Sequence, residues 1–428
     1  MYRFLLLITF LTAALVLLGQ EKSSNIASEG LSCKSTSQEY TNYYNRYDFY
    51  KDHFNKLNEV VIPFNFCIWL KDDGTGNYQN TPENDEMFKQ IEHYIERFYI
   101  YNTAKSDTIP DVTDLPSTKI HFQLRNIFYI RNTSFWEYGN SIANADGLEL
   151  NKEIRRLYPS EGNYFNIHVT GANPQHNGAS GYTVIPGTIL RKEHFIITFN
   201  RNRLHILEED RTYPIAIHLI HELAHNFDLT HNYDNAICDQ NNPDYLDDVF
   251  GKGENAVCPH EAGWSCNSLS ADNSCTNNIM GGTSGGAYFS PKQIYRMHRA
   301  LALKSIRNYA YNYSFSERNT IDITKNETWD FNMKLYNSLR ILSGCTLTVR
   351  CQINFVEKAS LQLEERAVLI VDGGSITNDQ PQSSGWKGIV IKRPKRKSGD
   401  PGKVFLKNGG HIDNELKADK KMKYYLTD

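Results

Sequence analysis

His221-Glu222-Leu223-Ala224-His225-Asn226-Phe227-Asp228-Leu229-Thr230-His231 is the stretch from which the rest of the chain is read. Its pattern is H-E-x-x-H-x-x-D-x-x-H. On a helix, residues four apart share a face, so His221 and His225 aim two imidazoles at one point. Glu222 stands beside them, placed to hold a water there. His231 follows six residues after His225, too far along a straight helix to converge. The spacing therefore predicts that the helix ends near Asp228 and that the chain turns back. Three histidines with a fourth position open to water are the donor set of a catalytic zinc site. Zinc lowers the pKa of its bound water to roughly 7 and polarises a carbonyl. Glu222 would take the proton from that water and pass it to a leaving amine. The short H-E-x-x-H alone also fits a helix with two surface histidines and a solvated glutamate; the third histidine narrows that choice.

Asn277-Asn278-Ile279-Met280-Gly281-Gly282 lies downstream. Together the two stretches resemble the extended zinc motif and Met-turn of the metzincin metalloproteases. Within that group the chain is most similar to the pappalysin-like proteases of the cytophagalysin and ulilysin type, over roughly residues 56–310. The likeness runs through Ile62–Leu70 with Asp72-Asp73-Gly74, Asn166-Ile167-His168-Val169, Gly181-Tyr182-Thr183-Val184-Ile185-Pro186 and the Cys-rich stretch after His231. The resemblance implies zinc held by His221, His225 and His231, Glu222 as general base, and Met280 as an apolar floor beneath the ligands. It also implies a protein or peptide substrate, whose extended backbone would pair with Gly181, Tyr182 and Thr183 on the upper rim of a cleft. An ordinary core-covering strand is the other reading of that segment.

Two positions depart from the family. Asp228 stands where the family has Gly, which leaves the helix in a left-handed conformation. Asp tolerates that conformation at a cost of about 1 kcal/mol. Asp228→Gly is expected to be tolerated and to tighten zinc; loss of zinc instead would make Asp228 a partner of a ligand. Gly282 stands where pappalysin-like enzymes have Tyr, and Tyr288 is a candidate substitute. His218, one turn before His221, is read as a packed or solvated histidine rather than a group behind the ligands.

The N-terminus, Met1 to Gln20, carries Arg3 and the apolar run Phe4–Leu18, a signal peptide in pattern, with an uncleaved N-terminal anchor as the other reading. Secretion, or a periplasmic or cell-surface place, is the expected localisation. Residues 21–55 are polar and Tyr-rich and read as an extension or pro-segment. Cys33 within it is a candidate latency ligand for the open zinc position, as in some metzincins. The alternative is a disulfide, with Cys67 the nearest partner in sequence. Eight cysteines in an exported chain favour disulfides, and Cys238, Cys258, Cys266 and Cys275 would brace a loop-rich region. Asp239, Asp244, Asp247 and Asp248 are a candidate calcium site or a solvated acidic loop. With 46 Lys+Arg against 49 Asp+Glu and a net charge of -3, no nucleic-acid partner is expected.

Pattern predicts strands at Val60–Leu70, with Pro63 at a strand start or sheet edge. Further strands are expected at Lys119–Leu124, Ile127–Ile130, Tyr164–Val169, Gly181–Ile185 and His194–Phe199. Helices are expected over Glu83–Tyr101 and Leu148–Leu157, from Thr212 through the zinc motif, and from a capping box at Ser290. Beyond about Ser316 come short strands, and Val368–Asn378 matches Val404–Asn414. They read as a β-solenoid or small sandwich, resembling the first rungs of parallel β-helix proteins. Lys392–Lys397 is a solvated loop or a glycan contact.

The expected fold is thus α+β. Residues 1–20 are a signal peptide, 21–55 an extension, 56–313 a metzincin domain of twisted mixed sheet, active-site helix and Met-turn, and 320–428 an all-β solenoid-like domain. A chain ending near Tyr313 should still cleave a small peptide. The function expected is a secreted zinc endopeptidase; the alternative is a non-catalytic binding or adhesion protein on a degenerate metzincin fold.

Overall fold

The computed structural model describes residues 47–102, 115–137, 148–171, 181–183, 197–200, 212–232, 240, 245–251, 253, 278–281, 288–378, 385–392, 399–413 and 424–427. Strand β1 (Glu59–Leu70) pairs in parallel with β2 (Ile120–Arg131) on one side and with β3 (Phe165–Thr170) on the other. β5 (Ile197–Asn200) continues the parallel order beside β3, and β4 (Gly181–Thr183) closes that side antiparallel to β5. β6 (Tyr311–Ser314) returns antiparallel to the first residues of β1. β1 is apolar nearly throughout because helices cover both faces of a mostly parallel sheet. Its alternate residues Ile62, Phe64, Phe66 and Ile68 enter the main core. Cys67 and Trp69 point the other way, into a smaller cluster with Trp136, Leu150 and Ile154.

Seven helices matter to the account: α1 (Tyr47–His53), α2 (Pro82–Tyr101), α3 (Thr133–Trp136), α4 (Leu148–Leu157), α5 (Thr212–Asn226), α6 (Asp247–Phe250) and α7 (Pro291–Leu303). α2 starts at Thr81, whose side chain accepts from the Asn84 N–H, with Pro82 in the first turn. Its stripe Phe88, Ile91, Ile95 and Phe98 is buried, and the helix packs on β2 and α5. No described helix is long and apolar enough to cross a membrane.

Three expectations need correction. β1 lies inside the sheet, so Pro63 is not at an edge; it falls in the gap between the β6 pairing, which ends at Val61, and the β3 pairing, which begins at Phe64. The two strands expected at 119–130 are one. β2 runs through both with a bulge: Phe64 pairs with Leu124 but Asn65 with Asn126, leaving Arg125 as the extra residue. Cys67 is a free thiol, fully buried, so it is not bonded to Cys33, which lies outside the described residues. Cys345 is also free, and Cys351 is disulfide-bonded.

The C-terminal strands form three parallel sheets, which makes this region a solenoid rather than a sandwich. The first rung is β7 (Thr320–Ile323), β8 (Glu327–Trp329) and β9 (Met333–Leu335). On it stack β10 (Ser338–Ile341), β11 (Thr346–Val349) and β12 (Gln352–Phe355), then β13 (Ser360–Leu363), β14 (Val368–Asp372) and β15 (Ser375–Asn378). β16 (Gly388–Ile391), β17 (Lys403–Lys407) and β18 (His411–Ile412) follow, and β19 (Tyr424–Thr427) pairs with β17. Inward residues stack on inward residues: Ile321, Leu339, Leu361 and Ile389 form one such column. The sequence repeat aligned Val368 with Val404, but the sheet pairs Leu369 with Val404. Both of those are fully buried, whereas Val368 is half-buried. A one-residue slip would turn every inward side chain outward, so the core overrides the letter match. The repeat alignment holds after the turn, where Ser375 pairs with His411.

The solenoid is joined to the sheet by polar contacts and by a shared core. Asn58 donates to the Tyr336 carbonyl at 2.9 Å and Asn337 donates to the Lys56 carbonyl at 2.7 Å. Lys334 Nζ donates to the carbonyls of Arg307 and Ala310, and the Tyr336 hydroxyl to that of Leu301. The described end of the 21–55 segment takes part as well. Phe49, Tyr50 and Phe54 are buried, and Phe49 meets Trp329 edge-on at 6.4 Å.

Two buried histidines away from the motif set a pH dependence. Burial pushes His168 down to about 3, and burial pushes His298 down to about 4. His168 lies between the Trp69 indole N–H and Asn151, and His298 bonds the Thr118 carbonyl at 2.7 Å. Unfolded histidine titrates near 6.5, so below that pH the unfolded chain binds protons that the folded chain refuses. Stability is present in full above about 6.5 and falls as pH drops toward these lower values. Between pH 7.5 and 5 each histidine should cost roughly 2 kcal/mol of unfolding free energy. Urea unfolding at the two pH values measures this, and equal stability would contradict it.

Candidate metal centre

α5 carries the motif. Ile215, Leu219, Ile220, Leu223 and Phe227 are buried in the main core, which pins one face of the helix and turns His221 and His225 to the other. The helix ends as expected from the sequence. Asp228 has φ +68°, the left-handed conformation that Gly adopts most easily. The Asp228 N–H donates to the His225 carbonyl and the Leu229 N–H to the Ala224 carbonyl, the paired bonds of a Schellman cap. That reversal brings His231 back.

The three imidazoles meet. Nε2 of His225 lies 3.2 Å from Nε2 of His221 and 3.1 Å from Nε2 of His231, and the third side is 3.1 Å. Among the described residues this is the one group of His, Cys, Asp and Glu side chains close enough to share a metal ion. Tetrahedral zinc with Zn–N bonds of about 2.0–2.1 Å separates its nitrogens by about 3.3 Å, close to the triangle seen here.

The other ring nitrogens fix the tautomers. Nδ1 of His221 is 2.8 Å from the Ile279 carbonyl, and Nδ1 of His225 is 2.7 Å from the Leu229 carbonyl. A carbonyl only accepts, so each Nδ1 carries the proton and each Nε2 presents a lone pair to the centre. Burial, with the neighbouring His221 and His231 next in effect, pushes His225 down to about 3, and burial holds His221 below its ordinary value. Neutral rings facing inward suit a cation.

Glu222 is 6% exposed and sits on the same helix, adjacent to His221. His218 is largely packed: burial followed by the His221 charge pushes it down to about 4, and its Nε2 lies 3.8 Å from Glu222 Oε1, beyond hydrogen-bond distance.

Met280 is fully buried, in a 3-10 turn over Ile279–Gly281. Sequence reasoning quoted Asn278 but missed its work. Asn232, directly after His231, donates to Asn278 Oδ1 at 2.9 Å, and its N–H donates to the Met280 carbonyl at 2.9 Å. Asn278 and Gln293 of α7 exchange side-chain hydrogen bonds of 2.8 and 3.0 Å. Gln293 also closes the Ser290 capping box. Tyr288 does not stand in for the family Tyr at an open cleft: it is fully buried, and its carbonyl accepts from the Ile279 N–H. Gly282 lies outside the described residues.

β4, with Gly181, Tyr182 and Thr183, runs at the side of the sheet and packs against α5. The described half of the acidic cluster is engaged elsewhere. Asp247 pairs with Lys292 at 2.6 Å, and Asp248 accepts from the Lys292 N–H at 2.8 Å, at the start of α7. Asp239 and Asp244 lie outside the described residues, as do Cys238, Cys258, Cys266 and Cys275. Of the basic run, Lys392 is described and reaches Glu364 at 3.4 Å.

Comparison with known proteins bears on residues 149–302, which match a peptidase family described as pregnancy-associated plasma protein-A. No curated protein matches. Among solved structures the chain is similar to mature mirolysin of Tannerella forsythia, determined in complex with a cleaved peptide. The identity is 15% and the TM-score 0.38, over 59% of this chain and 95% of that one.

Proposed function

We propose that this chain, whose residues 149–302 are those of a pappalysin-like metzincin, is a zinc metalloendopeptidase exported by the signal peptide at residues 1–20. The observation that carries the reading is the triangle of His221, His225 and His231, with three Nε2 atoms 3.1–3.2 Å apart. Zinc bound there would supply a Lewis acid that polarises the scissile carbonyl and acidifies a water. The chain's own residues do the rest. The carbonyls of Ile279 and Leu229 hold the rings of His221 and His225 in the tautomer that offers Nε2. Glu222, beside the triad, takes the proton of the attacking water and passes it to the departing amine. β4 pairs with an extended substrate backbone by main-chain hydrogen bonds, which orients the scissile bond over the triad. A protein or peptide is therefore the substrate class.

The test is metal content together with cleavage of casein. One zinc per chain and hydrolysis abolished by a chelator are expected. His225→Ala should lose the metal and the activity together, since two imidazoles cannot hold zinc as three do. A wild type that binds zinc but cleaves no protein or peptide would favour the binding-protein alternative.

A further inference from the structure

Asp228 occupies the position that the family fills with Gly, and its surroundings explain the exchange. Its two carboxylate oxygens are divided between two cations of one helix end. Oδ2 is 3.7 Å from Nη2 of Arg299 and Oδ1 is 3.7 Å from Nζ of Lys304. Arg299 is fully buried on α7, and Lys304 caps that helix. A guanidinium in the interior calls for an anion, and Asp228 brings one.

The other flank of His231 is tied to the same helix. Asn232 bonds Asn278, which bonds Gln293 in the first turn of α7. The third histidine thus sits between two anchors, three residues after one and directly before the other. Both anchors lead to α7.

We propose that Asp228 is a positioning residue for His231. With Arg299 and Lys304 it clamps the left-handed turn that returns the third imidazole to the centre, so that α7 sets the pose of that ligand. The inference rests on the reading of the triad as a zinc site. It also accounts for an Asp where Gly would turn more easily: the carboxylate holds the turn as well as allowing it.

The test compares zinc affinity, by chelator competition, with the Tm of the metal-free chain. Asp228→Asn keeps a residue that tolerates the left-handed conformation and removes the charge. It should weaken zinc about tenfold, the range seen when an outer partner of a ligand is lost. Asp228→Gly, expected from the sequence alone to tighten zinc, should weaken it too, because the carboxylate between Arg299 and Lys304 is lost even though Gly relaxes the turn. Lys304→Gln, at a partly exposed position, should cost about threefold, and the double variant Asp228→Asn/Lys304→Gln should bind no worse than Asp228→Asn alone, because the two charges act as a unit. Zinc binding by Asp228→Gly as tight as wild type, or a lower Tm for Asp228→Asn with unchanged affinity, overturns the clamp. If Asp228→Asn does not fold, Lys304→Gln decides: weaker zinc at unchanged Tm supports the clamp, and unchanged affinity overturns it. A wild type that takes up no zinc overturns the metal-site reading and the clamp with it; normal wild-type uptake with unaffected variants overturns the clamp alone.

Discussion

Glu222→Ala is expected to keep one zinc per chain and to lower kcat for peptide cleavage by about two to four orders of magnitude, the range of a lost general acid–base group. The two halves of this result have separate causes. The metal is retained because Glu222 is not one of the three nitrogens that converge, and because the hydrogen bonds fixing the rings of His221 and His225 come from the Ile279 and Leu229 carbonyls. Activity falls because a carboxylate beside the triad is no longer there to move the proton. KM should change little, since the substrate backbone is held elsewhere. His218, 3.8 Å from Glu222, gives no substitute base: it lies on the preceding turn of the helix and is not among the three histidines that converge. Metal analysis and steady-state kinetics on the purified variant decide the matter, and substantial activity in it would sink the assigned role.

The motif was legible because its information is local. A four-residue spacing puts two histidines on one helix face, and the chemistry of Asp permits the reversal after it. The reversal at Asp228, with φ +68°, and the meeting of the three histidines could be read from those eleven residues, although what holds them in place could not. The capping box at Ser290 and the helices at Leu148 and Thr212 were legible for the same reason.

What escaped was set by partners far along the chain. Nothing near Asp228 announces Arg299 or Lys304, and nothing near Asn232 announces Asn278. The bulge at Arg125 is decided by register against β1. In the solenoid the repeated letters around the Gly-Gly turns suggested one alignment, while burial of Leu369 and Val404 imposed another upstream of the turn. The first rung was invisible to pattern because β8 and β9 are three residues long and share no repeat with the later rungs.

The largest effect on the fold is expected from ending the chain at Tyr313. Sequence order places every proposed ligand before that point, and the chemistry needs nothing after it. The contacts say otherwise about folding. Removing residues 314–428 strips away Trp329, Met333, Leu335 and Tyr336, all buried in the core that also holds Phe49, Leu301 and Ala310. A fully buried side chain of that size is worth about 1.5–3 kcal/mol. A folded domain has only about 5–15 kcal/mol in total, so losing half of that cover is enough to unfold a marginal one. Polar losses add to it. The carbonyls of Arg307 and Ala310 lose the Lys334 ammonium, that of Leu301 loses the Tyr336 hydroxyl, and that of Lys56 loses Asn337. The damage also reaches α7, the helix that holds Asp228 and, through Asn278, Asn232. The shortened chain should therefore be insoluble, or soluble without a cooperative thermal transition, and should fail to hold zinc. Expression of both lengths, followed by calorimetry and metal analysis, checks this. A 1–313 chain that unfolds cooperatively and cleaves peptide at the full-length rate would show that the first rung only lies against the catalytic core and does not complete it.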